Sequence, residues 1–294
     1  MVTFFIPAAG ETTGCHPLTT TRALGEFPLA NEPLRRHQLV ALLAVGLSEA
    51  TEGEADLAVH PAAWFAPAEL ATFVADSSYG TLSTAEGIVL LARKTGGREL
   101  RASQSFALTF AWDLLRANAE AMTARKSYLQ ESGAHPSLYV DGRLQVGKGT
   151  KILPGVVIEG DVIIGDHCKI GPNCYLRGAT SIGDKCHVGQ AVEIKNSILL
   201  AGTNVGHLSY VGDSILGEKV NFGAGTITSN LRHDGGTHRS PVAGHMVDTG
   251  RRKLGAIVGD GVHTGIHTSI YPGRKLWPKT ATSPGAIVDK DILA

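Results

Sequence analysis

The 294 residues hold 27 lysines and arginines against 27 aspartates and glutamates, so no net charge biases the chain toward nucleic acid or an anionic membrane. Hydrophobic residues make up 43% and charged ones 18%, enough for one or two well-cored domains, and 36 glycines against 13 prolines point to repeated tight corners instead of disorder. The first residues show no basic n-region followed by an apolar one, and no apolar stretch is long enough for a bilayer, so a cytoplasmic protein is expected.

In chain order, Val2-Thr3-Phe4-Phe5-Ile6-Pro7 reads as a strand, and Ala8-Ala9-Gly10 opens a glycine loop of a kind that can cradle phosphates. Residues 108 to 130, with Trp112, Leu114, Leu115 and Met122, read as a helix leading into the rest of the chain. The expected division is an α/β region over 1–107, a helical linker over 108–137 and a β-helix over 138–294.

From Val140 every sixth residue is aliphatic: Val146, Ile152, Ile158, Ile164, Ile170, Leu176, Ile182, Val188, Ile194 and Leu200. A second column, two residues earlier in each hexad, runs from Leu138 to Ile198 through small or β-branched residues, among them Cys168, Cys174 and Cys186. Hexapeptide periodicity signals a parallel β-helix, a mostly β solenoid whose short strands each turn one side-chain column inward. Three of the four cysteines are thereby packing residues, and with Cys15 they match no CxxC pair, so no metal is expected. Glycines after the aliphatic column, at 147, 165, 171, 183 and 189, suggest corners that need unusual dihedrals.

Three faces per coil return the chain to one face every 18 residues. Arg177 and Lys195 therefore fall on one face, one coil apart, where two cations about 5 Å apart repel by about 3 kcal/mol at an effective dielectric near 20. They must splay into water or share an anion. Between Leu200 and Val211 the register loses one residue, and Gly206-His207-Leu208-Ser209-Tyr210 occupies the expected slip. Residues 229–256 form a long non-repeating excursion, and long loops on rigid scaffolds are often functional. The period then resumes at Val258, Thr264, Ile270, Leu276, Thr282 and Val288.

The runs Val192-Glu193-Ile194-Lys195-Asn196-Ser197, Gly206-His207-Leu208-Ser209-Tyr210-Val211-Gly212-Asp213 and Val220-Asn221-Phe222-Gly223-Ala224-Gly225-Thr226 resemble the acetyltransferase half of the bifunctional glucosamine-1-phosphate acetyltransferase and N-acetylglucosamine-1-phosphate uridyltransferase family. Ser229-Asn230-Leu231-Arg232 and Gly250-Arg251-Arg252-Lys253-Leu254-Gly255 resemble its archaeal form. The resemblance covers roughly residues 138 to 292. It implies a left-handed helix, acetyl-coenzyme A as cosubstrate, a hexosamine phosphate as acceptor and a homotrimer with inter-subunit sites. It further implies His207 as general base with Asn230 near the reacting amine, and Arg177, Lys195, Tyr210 and Asn221 on the sugar phosphate. Ala224, Gly265 and Pro284 would lie along coenzyme A. Relatives carry lysines after the Asn-Leu-Arg segment where this chain reads Asp234-Gly235-Gly236-Thr237-His238-Arg239, leaving Arg239 as the expected substitute.

The N-terminal region, through His16-Pro17-Leu18-Thr19 and Phe27-Pro28-Leu29-Ala30-Asn31-Glu32-Pro33-Leu34, resembles the start of a sugar-nucleotidyltransferase domain. Gly14 stands at that family's arginine and Leu24 at its lysine, and the segment is short, so a remnant without uridylyl transfer is expected. Three alternatives stand beside the acetyltransferase reading: transfer to another amino sugar, free or nucleotide-linked; a zinc hydratase using His167, His187 and His207; and a non-catalytic trimeric scaffold. The 20-residue histidine spacing is expected to drift and keep these rings off a common face.

Overall fold

The computed structural model describes residues 2–8, 12–125 and 134–293. The glycine loop read at 8–10 falls largely on residues 9–11, outside the described set, as do residues 126–133 of the expected linker. Two compact units divide the chain: Met1–Cys15, Arg22–Pro28 and Glu32–Asp113 form the first, and His16–Thr21, Leu29–Asn31 and Leu114–Ala294 the second.

In the first unit a six-stranded mixed sheet has the order Ser48–Glu49, Thr3–Phe5, Leu57–Val59, Val89–Arg93, Tyr79–Ser83, Arg98–Arg101. The strand expected at the N-terminus pairs in parallel with two neighbours. Phe4, Leu57, Val59, Phe73, Leu82 and Leu91 fill its core. Helices Leu34–Ala44 and Pro67–Ala75 accompany the sheet. Gly14 sits where a Cβ would run into the carbonyl oxygen of Thr109. The missing arginine is therefore excluded by the backbone, since no side chain of any kind fits there.

The second unit is the expected β-helix. One face stacks Val157–Glu159, Tyr175–Arg177, Glu193–Lys195, Tyr210–Gly212, Ile227–Thr228, Ser269–Ile270 and Ile287–Val288 in parallel. The next stacks Val162–Ile164 through Thr180–Ile182, Ile198–Leu199, Ile215–Leu216 and Ile257–Val258 to Lys275–Leu276. The third runs from Lys151–Ile152 through Lys169–Ile170, His187–Gln190 and Asn204–His207 to Asn221–Phe222. Tyr139–Val146 and Val157–Ile164 run eight residues and turn from the first face to the second, and beyond them strands of two to four residues suffice because their backbone groups pair with the coil above or below. The interior holds the aliphatic column and the three cysteines. Burial raises the Cys174 thiol to about 12, and Cys168 and Cys186 aim their sulfurs at the carbonyls of Gly183 and Leu200 at 3.1 and 3.2 Å.

The corners depart from the sequence expectation. Of glycines 147, 165, 171, 183 and 189, only Gly171 has a positive φ. Gly189 is required for another reason: a Cβ there would collide with the Gly206 carbonyl one coil above. The left-handed residues instead form columns of their own, and at one corner these are Gly160, Gly178, Asn196 and Asp213. Asn and Asp tolerate this conformation better than other side-chain-bearing residues.

At that same corner the coil shortens. Arg177 pairs with Lys195, 18 residues on, whereas Ile182 pairs with Leu199, 17 residues on. The slip thus lies at Asn196–Ser197, earlier than Gly206–Tyr210, and Leu199 replaces Leu200 in the interior column. Buried hydroxyls staple the shortened turn. Ser197 Oγ donates to the Lys195 carbonyl at 2.7 Å and accepts the Ser214 amide at 3.0 Å; Ser214 Oγ repeats the pattern with the Gly212 carbonyl and the Ala256 amide. The excursion leaves from this corner as well, since Ile215 pairs with Ile257. It contains an antiparallel hairpin, Arg239–Val242 with His245–Asp248, that the absence of a repeat does not reveal.

Helix Asp113–Ala124 lies against the β-helix. Asn118 Oδ1 accepts the Ser181 hydroxyl at 2.9 Å and its amide donates to the Ala179 carbonyl at 3.2 Å. Leu114, Leu115 and Met122 are buried, as the apolar pattern of 108–130 requires, and Trp112 precedes the helix. The segment Leu29–Asn31 also belongs to this unit: the Asn31 amide donates to the Ile182 carbonyl at 2.8 Å.

Candidate active site at one corner of the prism

Alternation along the first face sends Arg177 and Lys195 outward around buried Leu176 and Ile194, and the coil stacking sets them one above the other. Their repulsion is not left to solvent or to a shared ligand. Arg177 pairs with Glu193 at 2.7 Å, and Lys195 with Asp213 at 3.5 Å. Arg177 also lies over the Tyr175 ring at 5.2 Å, and the Tyr175 hydroxyl donates to Glu159.

Asp213 is the hub. The residue is 3% exposed, and its carboxylate accepts the side-chain amides of Asn230 at 2.6 Å and Asn196 at 3.3 Å besides facing Lys195. The Asn230 amide also donates to the Tyr210 hydroxyl at 3.0 Å. Gly212 makes room for this, because a Cβ there would meet both the Tyr210 hydroxyl and the Asn230 amide. Burial pushes the Tyr210 phenol up. Burial likewise depresses the Lys195 ammonium against the pull of Asp213, and the neighbouring ammonium of Lys253 and the Arg177 guanidinium depress it further.

His207 ends the strand Asn204–His207 on the adjoining face, with its side chain exposed and in register with Gln190. The corner at Leu208–Ser209 separates it from Tyr210, and the Ser209 hydroxyl donates to the His207 carbonyl at 2.8 Å. Leu208 holds a φ of 51° and is 62% exposed. Asn221 lies on the His207 face, accepting the Asn204 amide at 2.7 Å. Ala224 follows Phe222, the partner of Val205, by two residues, which places it one coil above His207. Gly265 and Pro284 come together farther along the stack, where a Cβ on Gly265 would meet the Pro284 nitrogen.

The structure therefore links Lys195, Asn230 and, through Asn230, Tyr210 to Asp213, sets Arg177 one coil from Lys195 against Glu193, and groups His207, Asn221 and Ala224 across the next corner. Arg239 stands in the hairpin, donating to the Met246 carbonyl at 2.9 Å. Asp213, Glu193 and Lys253 were absent from the sequence-derived set. Stacking Gly178, Asn196 and Asp213 by coil length would have revealed Asp213, because it occupies the same left-handed corner position.

The histidines correct one expectation. His187 and His207 stand on adjacent strands of one face, His187 opposite Asn204. Burial, then Lys169, depress the His187 imidazole, and His207 adds to this. Among the described residues no three His, Cys, Asp or Glu side chains form a group suited to a metal ion. No helix among the described residues is long and apolar enough to cross a membrane.

The fold and this corner define a hexapeptide-repeat β-helix of the kind the sequence suggested, and comparison with known proteins gives it relatives. Residues 158–274 match the family model described as the GMPPB C-terminal domain. The chain is similar to a bifunctional sugar-1-phosphate nucleotidylyltransferase/acetyltransferase of Sulfurisphaera tokodaii, 47% identical over 102 residues, 35% of this chain and 25% of the relative. It is also similar to the bifunctional protein GlmU of Methanococcus aeolicus, 39% identical over 181 residues, 62% of this chain and 44% of the relative. The chain thus spans about a quarter to less than half of the length of these relatives. Among solved structures it is similar to a putative acetyltransferase of Bacillus cereus, 19% identical, covering 53% of this chain and 83% of that one with a TM-score of 0.29. PerB of Caulobacter crescentus, solved with CoA and GDP-perosamine, is 16% identical and covers 96% and 92% with a TM-score of 0.23. These superpositions are too loose to transfer any residue's role.

Proposed function

We propose that this chain transfers the acetyl group of acetyl-coenzyme A to the amine of a hexosamine phosphate, glucosamine-1-phosphate before others. The observation that carries the reading is the corner where Lys195 and Asn230 meet Asp213, Asn230 holds the Tyr210 hydroxyl and Arg177 stacks one coil from Lys195, with His207 across the next corner. The similarity to the bifunctional sugar-1-phosphate nucleotidylyltransferase/acetyltransferase of Sulfurisphaera tokodaii supports it.

In this reading the acceptor lies across the corner at Leu208–Ser209, phosphate toward Arg177 and Lys195, sugar hydroxyls toward Tyr210 and Asn221, amine toward His207 and Asn230. Guanidinium and ammonium suit a phosphate through forked and point-charge contacts respectively. The His207 imidazole takes the proton that the nitrogen loses as it attacks the thioester carbonyl. The backbone beside Ala224 stabilises the resulting oxyanion, and collapse breaks the C–S bond and expels the coenzyme A thiolate, which regains the proton from His207. Coenzyme A would run past Gly265 and Pro284.

The assembly in this reading is a cytoplasmic homotrimer whose neighbouring subunit completes each site. Leu208, Ile227, Ile266 and Ile287, 62%, 40%, 50% and 66% exposed, give the prism an apolar flank suited to such contacts. No uridylyl transfer is proposed, a view the closed seat at Gly14 supports. The test is thiol release from acetyl-coenzyme A in the presence of glucosamine-1-phosphate and a panel of other amino sugars, phosphorylated and nucleotide-linked. Release with none of them would overturn the reading, and release with a different acceptor would reassign the substrate.

A further inference from the structure

We infer that Lys253, on the returning limb of the excursion, is the third cation of the phosphate subsite; the inference rests on the acceptor reading above. The outgoing limb has committed its charges to itself. Arg232 grips Asp234 at 2.5 Å, Asp234 in turn accepts the Gly236 amide at 3.0 Å, and Arg239 donates to the Met246 carbonyl at 2.9 Å.

The returning limb is fastened to the site by its backbone. Lys253 bridges Leu231 antiparallel, the Leu254 amide donates to the Asn230 carbonyl at 3.1 Å, and the Gly255 amide donates to the Asp213 carbonyl at 2.9 Å. Lys253 is therefore held one and two residues from bonds to the very residues that organise the cluster. That anchoring brings Lys253 to the corner where Lys195 meets Asp213, and the charges of the two lysines oppose one another.

Charge bookkeeping then gives the site its ligand. Arg177 faces Glu193 and Lys195 faces Asp213, so those four charges cancel. No carboxylate of a described residue forms an ion pair with Lys253, and Glu159, one coil from Arg177, is held by the Tyr175 hydroxyl, so the Lys253 ammonium faces a lysine of the same sign without an ion-pair partner. Two ammonium groups in proximity are relieved by an anion whose oxygens reach both, and a phosphate monoester dianion has three such oxygens. Lys253 is proposed as a binding residue, with no part in the proton transfer assigned to His207.

The test uses the full chain and two probes, inorganic phosphate and glucosamine-1-phosphate, titrated calorimetrically into wild type, K253Q, K253R and R252Q. Lys253→Gln is expected to weaken binding of both probes about tenfold or more, and K253R to stay within about threefold. Arg252, whose guanidinium donates to the Gly235 carbonyl at 3.1 Å, is the control, and R252Q should match wild type. In phosphate-free buffer K253Q should melt above wild type, because a like-charge contact is gone, and phosphate should no longer raise its Tm. Affinity for both probes equal to wild type in K253Q would overturn the inference, as would a wild type that binds neither. Phosphate binding lost in K253Q, with no acetylation of any amino sugar by wild type, would uphold the subsite while ending the acetyl-transfer reading.

Discussion

Asp213 shows how much one side chain organises here. It is buried, faces the ammonium of Lys195 and accepts amides from Asn196 and Asn230. Asp213→Ala strands Lys195 with its side chain 11% exposed, and removing one partner of a buried pair costs about 3–5 kcal/mol, so a marked fall in Tm is expected. His207 is exposed, so His207→Ala should leave Tm unchanged while thiol release drops by about 10²–10⁴, the usual worth of a general base. A drop of less than about threefold would remove His207 from the mechanism. Because burial depresses Lys195 below the usual lysine range, the acceptor KM should begin to climb with alkaline pH before that range is reached, and a pH profile of KM checks this. His187 is depressed by burial too, so its contribution to stability is complete above its unfolded pKa near 6.5 and is lost as pH falls toward its lower folded value. H187Q should flatten that acid limb in thermal melts.

At the scale of the element, the six-residue period made the strands and their inward columns legible, because burial on one side of a short strand leaves a repeating aliphatic mark. The slip was harder to place. Leu199 and Leu200 are both leucines, so the sequence does not say which one enters the core, and the reading put the shortened turn at Gly206–Tyr210 instead of Asn196–Ser197. The signal that does locate it is chemical: serine follows Asn196 and Asp213 where Ala179-Thr180 follows Gly178, and the hydroxyl spans the shortened turn. Ser197→Ala removes the acceptor of the buried Ser214 amide and should destabilise the protein by about 1–3 kcal/mol, read from denaturant titrations. Gly189→Ala should cost more than an ordinary glycine replacement, since its Cβ meets backbone and no side chain can swing aside. Lys253 left no periodic trace, because the excursion's length erases coil counting between Thr228 and Ile257.

For the molecule as a whole, the sequence conveyed a β-helix and a degenerate N-terminal region, and the six-stranded sheet with its packed core shows that this region retains a core of its own. The arginine missing at Gly14 follows from the fold of this unit, where the Thr109 carbonyl occupies the space a Cβ would need. Pyrophosphate release from UTP and N-acetylglucosamine-1-phosphate should therefore be undetectable, and G14R should yield unfolded protein instead of restored activity. Which acceptor the proposed transferase takes was not legible, since in that reading it depends on contacts made by a loop outside the repeat.

The shortened turn and the excursion share one corner, and the other two corners keep their stacking on either side of it. Segments of unrelated length can thus be exchanged between Thr228 and Ile257 without altering the hydrogen-bond ladder, provided Asp213 and Gly255 stay in place to close the gap. Substrate preference in such a chain is a graftable property: transplanting residues 229–254 from a relative should carry that relative's acceptor choice onto an unchanged shaft.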